Sequence, residues 1–158
     1  MQALDPDLIP TGFIAAVRDP LPVGRHSGRA ESGSTDTFTV VLTAQPASDV
    51  VISVVSGDTG EVTVDKSTLT FSNGDWNSAQ TVTVTGVNDD LDDGNVSATI
   101  TLAVVDGSSA DAFDNVANQT VSATNTDNDT AGFTIAHTSG ATIVTEDVGT
   151  DTFSLVLN

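Results

Sequence analysis

Residues 30–42, AESGSTDTFTVVL, recur without a gap at residues 145–157 as TEDVGTDTFSLVL. The match sets Glu31 on Glu146, Asp36 on Asp151, Phe38 on Phe153 and Leu42 on Leu157. A fainter match precedes it, TGFIAAV at 11–17 against AGFTIAH at 131–137, with several extra residues in the first copy. Self-similarity at the length of a whole domain means an array of like modules, each closing its own core. The chain is therefore expected to hold one complete repeat, 30–130, and the opening strands of a following repeat, 131–158, as a cut from a longer array would. Residues 1–29 differ in texture, carrying Arg18, Arg25 and Arg29 with Pro6, Pro10, Pro20 and Pro22. They read as a degenerate N-terminal strand or linker, or as a segment foreign to the repeat.

Within the repeat the apolar period is two, the period of strands that bury one face. TDTFTVVL puts Phe38, Val40 and Leu42 on one face and Thr37 and Thr39 on the other. SDVVISVVS and EVTV follow, then STLTF with Leu69 and Phe71 inward, and QTVTVTGV with Val82 and Val84 opposed to Thr81, Thr83 and Thr85. VSATITLAVV sets Val96, Ala98, Ile100, Leu102 and Val104 against Ser97, Thr99 and Thr101, and QTVSAT closes the repeat. No window carries a helical stripe. Half-buried strands separated by Gly, Asn and Asp turns predict an all-β fold, an antiparallel Greek-key β-sandwich of immunoglobulin-like type.

Charge narrows the partners. The chain has 4 Lys+Arg against 22 Asp+Glu, a formal charge of -18. Nucleic acid and anionic membranes both need clustered Lys and Arg, so neither is an expected partner. Such an excess favours cations and keeps an extended array soluble. With no Cys, disulfides and thiolate metal sites are excluded. No run of about twenty apolar residues offers a membrane span. The N-terminal MQALDPDLIP has no basic start and no long apolar run, so an export signal is expected outside this sequence.

The acids are bunched where strands end. VNDDLDDGN contributes Asp89, Asp90, Asp92 and Asp93, and TNTDNDT contributes Asp127 and Asp129. Glu31 and Glu146 each stand just before a strand. Neighbouring carboxylates repel, and folding that concentrates them is costly unless a cation neutralises them. Carboxylate-rich, His- and Cys-poor surroundings suit Ca²⁺, which takes six to eight oxygen ligands, better than zinc or copper. These are not EF-hand loops: aligning Gly94 or Gly132 as the turn glycine puts Ile100 or Thr138 where the twelfth-position carboxylate belongs. A calcium site here is expected to be assembled from separate loops meeting at one end of a sandwich.

Four stretches in order resemble the Calx-beta modules of sodium/calcium exchangers and of long bacterial surface proteins. The opening glutamate, glycine and alternating strand are similar to Glu31, Gly33 and TFTVVL, and again to Glu146, Gly149 and TFSLVL. STLTF with QTVTVTGV, the acidic run NDDLDDGN, and the closing QTVSATNTDND complete the order. The resemblance covers about residues 30–158. It implies calcium ligands at Glu31, Asp89, Asp90, Asp127 and Asp129, with Asp92, Asp93 and Glu146 as further candidates, at a pole facing the next module. Two departures are visible: Asn128 interrupts the terminal aspartate triplet, and SGDTGEVTV replaces a D-G-T-A strand, putting a ligand from Asp58 in doubt.

The expected function is a non-catalytic calcium-binding structural repeat of a secreted or cell-surface adhesin or biofilm protein, with Ca²⁺ stiffening the junctions between neighbouring repeats. A second reading is a glycan- or surface-binding sandwich module using Trp76, although 4% aromatic content with no Tyr makes a stacking platform hard to assemble, and a core lid suits a lone Trp better. A third is a metal-dependent enzyme. The histidines, His26 and His137, lie in no H-x-H or H-E-x-x-H arrangement, and no G-x-S-x-G elbow is present. The chain is expected not to be an enzyme. Residues 131–158, as opening strands, would expose unpaired edges and could exchange into a second copy as a strand-swapped homodimer.

Overall fold

The computed structural model describes residues 14–18 (backbone only), 33–137, 140, 142–147 and 149–157. Each alternating segment forms a strand, and the strands assort into two four-stranded sheets and one separate hairpin. In chain order they are β1 (Ile14–Arg18), β2 (Thr35–Leu42), β3 (Val50–Ser56), β4 (Val62–Val64), β5 (Thr68–Phe71), β6 (Gln80–Gly86), β7 (Val96–Val104), β8 (Gln119–Asn125), β9 (Phe133–His137) and β10 (Phe153–Leu157). Two single 3₁₀ turns, Asp106–Ser108 and Asp111–Phe113, are the helical elements among the described residues.

One sheet runs β1-β2-β6-β4 and the other β5-β3-β7-β8, and every pairing is antiparallel. Read as A, B, C, D, E, F and G, strands β1, β2, β3, β4, β6, β7 and β8 reproduce the A-B-E-D and C-F-G sheets of immunoglobulin domains, with β5 added at the C edge. The expected antiparallel Greek-key sandwich is thus the observed fold.

The core is what the alternation dictates. Phe38, Val40 and Leu42 on β2, with Val82 beside them on β6, face Ile52 and Val54 on β3, Leu69 and Phe71 on β5, and Ile100 and Leu102 on β7, all buried in one cluster. Thr residues take the outward positions, where β-branched side chains suit a pleated surface. Trp76 is half-buried against this cluster, and its carbonyl accepts the Leu42 N–H at 3.2 Å. It lids the core rather than projecting as a platform.

The sandwich has two distinct ends. Ser34, Gly57, Glu61, Gly86 and Asn125 lie at one, joined across loops by Gly86 N–H to the Ser34 carbonyl at 3.0 Å and Val87 N–H to the Glu61 carbonyl at 2.8 Å. The loop between β7 and β8, with both 3₁₀ turns, lies at the other, tied to β3 by Val105 N–H to the Val51 carbonyl at 2.8 Å and to the residue before it by Ala110 N–H to the Asp49 carbonyl at 2.9 Å.

A candidate cation-binding pole

The first end gathers the acidic loops. β6 delivers 87–95 to this pole, β7 leads away from it, and β8 returns with 125–131. Asp127 stitches the two loops together. Its Oδ2 accepts the Gly94 N–H at 2.7 Å, its Oδ1 accepts the Asp129 N–H at 2.7 Å, and its own N–H donates to Asn95 Oδ1 at 3.1 Å. Gly94 holds φ +77°, a left-handed conformation that glycine adopts without penalty, and this turn aims its amide at Asp127.

Further bonds close the pole. Asp92 Oδ2 accepts the Ala131 N–H at 2.8 Å, and Asn128 Nδ2 donates to Asn88 Oδ1 at 3.0 Å. Asp89 Oδ1 accepts the Leu91 N–H at 2.8 Å within its own turn. Asp89, Asp127 and Asp129 are half-buried, whereas Asp90, Asp92 and Asp93 are exposed. Glu31 lies outside the described residues. Glu146 is exposed in the β9–β10 connection.

Sequence reasoning passed over two residues that the fold places at the centre of this end. Asn125, the last residue of β8, is buried at 3% exposure. Its Nδ2 donates to Glu61 Oε2 at 3.1 Å and to the Val87 carbonyl at 2.7 Å. The signal was present, since Val121, Ala123 and Asn125 occupy the inward positions of one alternating strand, and a polar group at such a position must find partners. A small pocket of about 20 Å³, room for about one water, lies beside Asn125 between Ser34, Asp36 and Gly86.

The donor chemistry at this pole is all oxygen. Asn125 Oδ1 and Asp129 Oδ2 are buried acceptors with no donor in reach. A sealed acceptor without a partner costs about 1–3 kcal/mol, and a hard cation is one group that would meet it. Against a preformed cage, no three acidic or histidine side chains among the described residues converge as a metal cluster. The residues fit calcium by ligand type, and several carboxylates are engaged by backbone N–H groups.

No family model matches the chain, and no curated protein matches it. Among solved structures, it is similar to SSP-19, an MSP-domain protein like family member in Caenorhabditis elegans. That likeness has 17% sequence identity and a TM-score of 0.37, over 60% of this chain and 85% of the other. Among the described residues no helix is long and apolar enough to cross a membrane.

Proposed function

We propose that this chain is a non-catalytic, calcium-binding structural repeat of a secreted or cell-surface adhesin-type protein, of Calx-beta-like kind, in which Ca²⁺ stiffens the pole between neighbouring repeats. One observation carries the reading: loops from four parts of the chain, ending at Ser34, Glu61, 87–95 and 125–131, are bonded together at one pole, where two buried oxygens lack donors. Asp129 and Asn125 would offer those oxygens, and Asp89, Asp90, Asp127 and Glu31 would supply further carboxylates. Glu61 joins this set because its carboxylate is held beside Asn125. Bound calcium would supply positive charge that offsets carboxylate repulsion; the chain's contribution is to hold the two acidic loops in register.

The physical link to stiffness is direct. β9 follows Asp129 within four residues, so ordering the 125–131 segment restricts the hinge on which β9–β10 is carried. Removing the ion leaves like charges in adjacent loops. Extracellular sites of this kind work at a Kd of about 10⁻⁴ to 10⁻³ M. The glycan-binding alternative loses its platform, because Trp76 packs against the core.

The test is a thermal melt in EDTA against millimolar Ca²⁺, with Mg²⁺ as control. Binding to the native state alone adds about 1.4 kcal/mol when calcium is at ten times Kd. A calcium-specific rise in midpoint, lost on Asp129→Ala, is expected. An identical midpoint in EDTA and calcium means that the acids are solvated turn residues and ends this reading.

A further inference from the structure

FSNGDW holds the chain's one Asn-Gly step, Asn73–Gly74. Asparagine is chemically labile. It is most so before glycine, whose missing side chain leaves its amide nitrogen open to attack the preceding carboxamide. A bond forms from Gly74 N to Asn73 Cγ, closing a cyclic imide. The Cγ–Nδ2 bond breaks, and ammonia leaves with the proton that Gly74 N gives up. Water then opens the imide at Cγ, giving aspartate, or at the main-chain carbonyl, giving isoaspartate.

The fold engages both reacting groups. Asn73 is exposed on the loop between β5 and β6, and the loop between β2 and β3 clamps its carboxamide. Asn73 Nδ2 donates to the Pro46 carbonyl at 2.8 Å, and Pro46 is fully buried, so this acceptor is fixed. Gln45 Nε2 donates to Asn73 Oδ1 at 3.2 Å and to the Asn73 carbonyl at 3.0 Å. One amide thus directs its two hydrogens to two oxygens of a single residue. The Gly74 N–H donates to Ser72 Oγ at 3.2 Å, and that hydroxyl donates to Asp75 Oδ1 at 2.7 Å. Attack makes Cγ tetrahedral and expels Nδ2, so it proceeds when the carboxamide comes off Gln45 and Pro46.

We propose that Asn73 is a site of enzyme-free deamidation gated by this clamp. The closed loop is protected, and each opening of Gln45 and Pro46 from Asn73 admits a one-way change. The product cannot restore the clamp. A carboxylate at position 73 has no hydrogen for the Pro46 carbonyl and sets an oxygen against it instead. It also adds a negative charge to the turn that holds Asp75. Isoaspartate further lengthens the backbone by a CH₂ shortly before Trp76, whose carbonyl accepts the Leu42 N–H. Modification therefore loosens the Trp76 lid, at the end of the sandwich opposite the acidic pole. It is independent of the calcium reading and proceeds equally in EDTA.

The test is peptide mapping by mass spectrometry of the full 158-residue chain after incubation in mildly alkaline buffer, native and in urea. The melting midpoint of each native sample is recorded alongside, which separates an open clamp from a loosened fold. Conversion at position 73 to both acids is expected, at least about tenfold slower in the native chain than in urea. Gln45→Ala, at an exposed position, should raise the native rate about tenfold and leave the urea rate unchanged. Gln45→Glu, which keeps the shape but not the donors, should do the same. Gly74→Ala should suppress conversion in both states. The fold admits it, since a Cβ there meets nothing closer than Ser72 Oγ at 3.8 Å and no positive φ is required. Equal rates in the native and urea samples overturn the gate, as does a native Gln45→Ala rate at or below the parent's. Conversion at Asn77 ahead of position 73, or none at position 73 in urea, overturns the site.

Discussion

Asn125 and Glu61 meet through one hydrogen bond, Nδ2 to Oε2 at 3.1 Å, while the Val87 carbonyl takes the other amide proton at 2.7 Å. Two acceptors on one side fix the amide, since a flipped Asn125 would set Oδ1 against both. The orientation therefore leaves Oδ1 as the buried oxygen without a donor. Asn125→Ala strands the Glu61 carboxylate and the Val87 carbonyl, and a loss of about 1–3 kcal/mol is expected in urea unfolding at neutral pH. Asn125→Asp should lose more, because it places a second carboxylate against Glu61. Midpoints unchanged from the parent would show that this clasp contributes nothing.

Gly94 gives a cleaner conformational test. A Cβ built there meets no atom within 4 Å, yet φ is +77°. Gly94→Ala is thus penalised by backbone strain alone, about 1–2 kcal/mol. Gly107, which also has open space around a Cβ and no positive φ, serves as the control: Gly107→Ala should be near neutral. Equal midpoints for the two variants would remove the left-handed turn from the account of how Gly94 reaches Asp127.

How legible was this in the sequence? The core was plain, because period-two alternation is local: Phe38, Val40 and Leu42 or Ala98, Ile100 and Leu102 can share only one face of a strand, and all six are buried. The pole was legible only in outline. That Asp127 and Asp92 reach across loops depends on β6, β7 and β8 returning to the same end, and no spacing within either acidic run encodes it. Glu61 was hidden for the same reason, since EVTV reads as an ordinary strand until β4 crosses to pair with β6. Register was illegible. Aligning TGFIAAV with AGFTIAH sets Phe13 on Phe133, but Ile14 is the residue opposite Leu42, as Phe133 is opposite Leu157. A slip of one residue exchanges the two faces of a strand, and a weak seven-residue match cannot exclude it.

Glu61 separates charge from shape at the pole. Glu61→Gln keeps an oxygen for Asn125 and a side chain of the same size, but removes one negative charge. In EDTA its midpoint should equal or slightly exceed the parent's. In millimolar calcium its rise should be smaller, with a Kd weakened by about tenfold, as loss of one ligand charge tunes such sites. An undiminished calcium response would exclude Glu61 from the ligands while leaving its structural clasp intact.

The opposite end of the sandwich makes a prediction about pH. Asp106, Asp111 and Asp114 crowd the two 3₁₀ turns. Partial desolvation of the Asp114 carboxyl, then a hydrogen bond that its protonated form donates to Asp106 and the charges of Asp106 and Asp111, hold its pKa above the ordinary 3.8. An acid whose folded-state pKa is raised binds its proton more tightly when folded, so its ionisation opposes folding. The penalty is full above the folded pKa, shrinks as pH falls through it, and vanishes below 3.8, where folded and unfolded chains are both protonated. Asp114→Asn should therefore raise the melting midpoint at pH 7 and leave it unchanged below about pH 3.8. Asp75 supplies the contrast. The Ser72 hydroxyl, at 2.7 Å, and then the Ser72 N–H, at 2.6 Å, hold its carboxyl below the ordinary value. Its stabilisation is present above pH 3.8 and lost as pH falls through its depressed pKa, so Asp75→Asn lowers the midpoint at pH 7 and converges on the parent in strong acid. Melts of the two variants across pH 2 to 7 should shift in opposite directions, and a common direction would refute the opposite signs assigned to these two carboxyls.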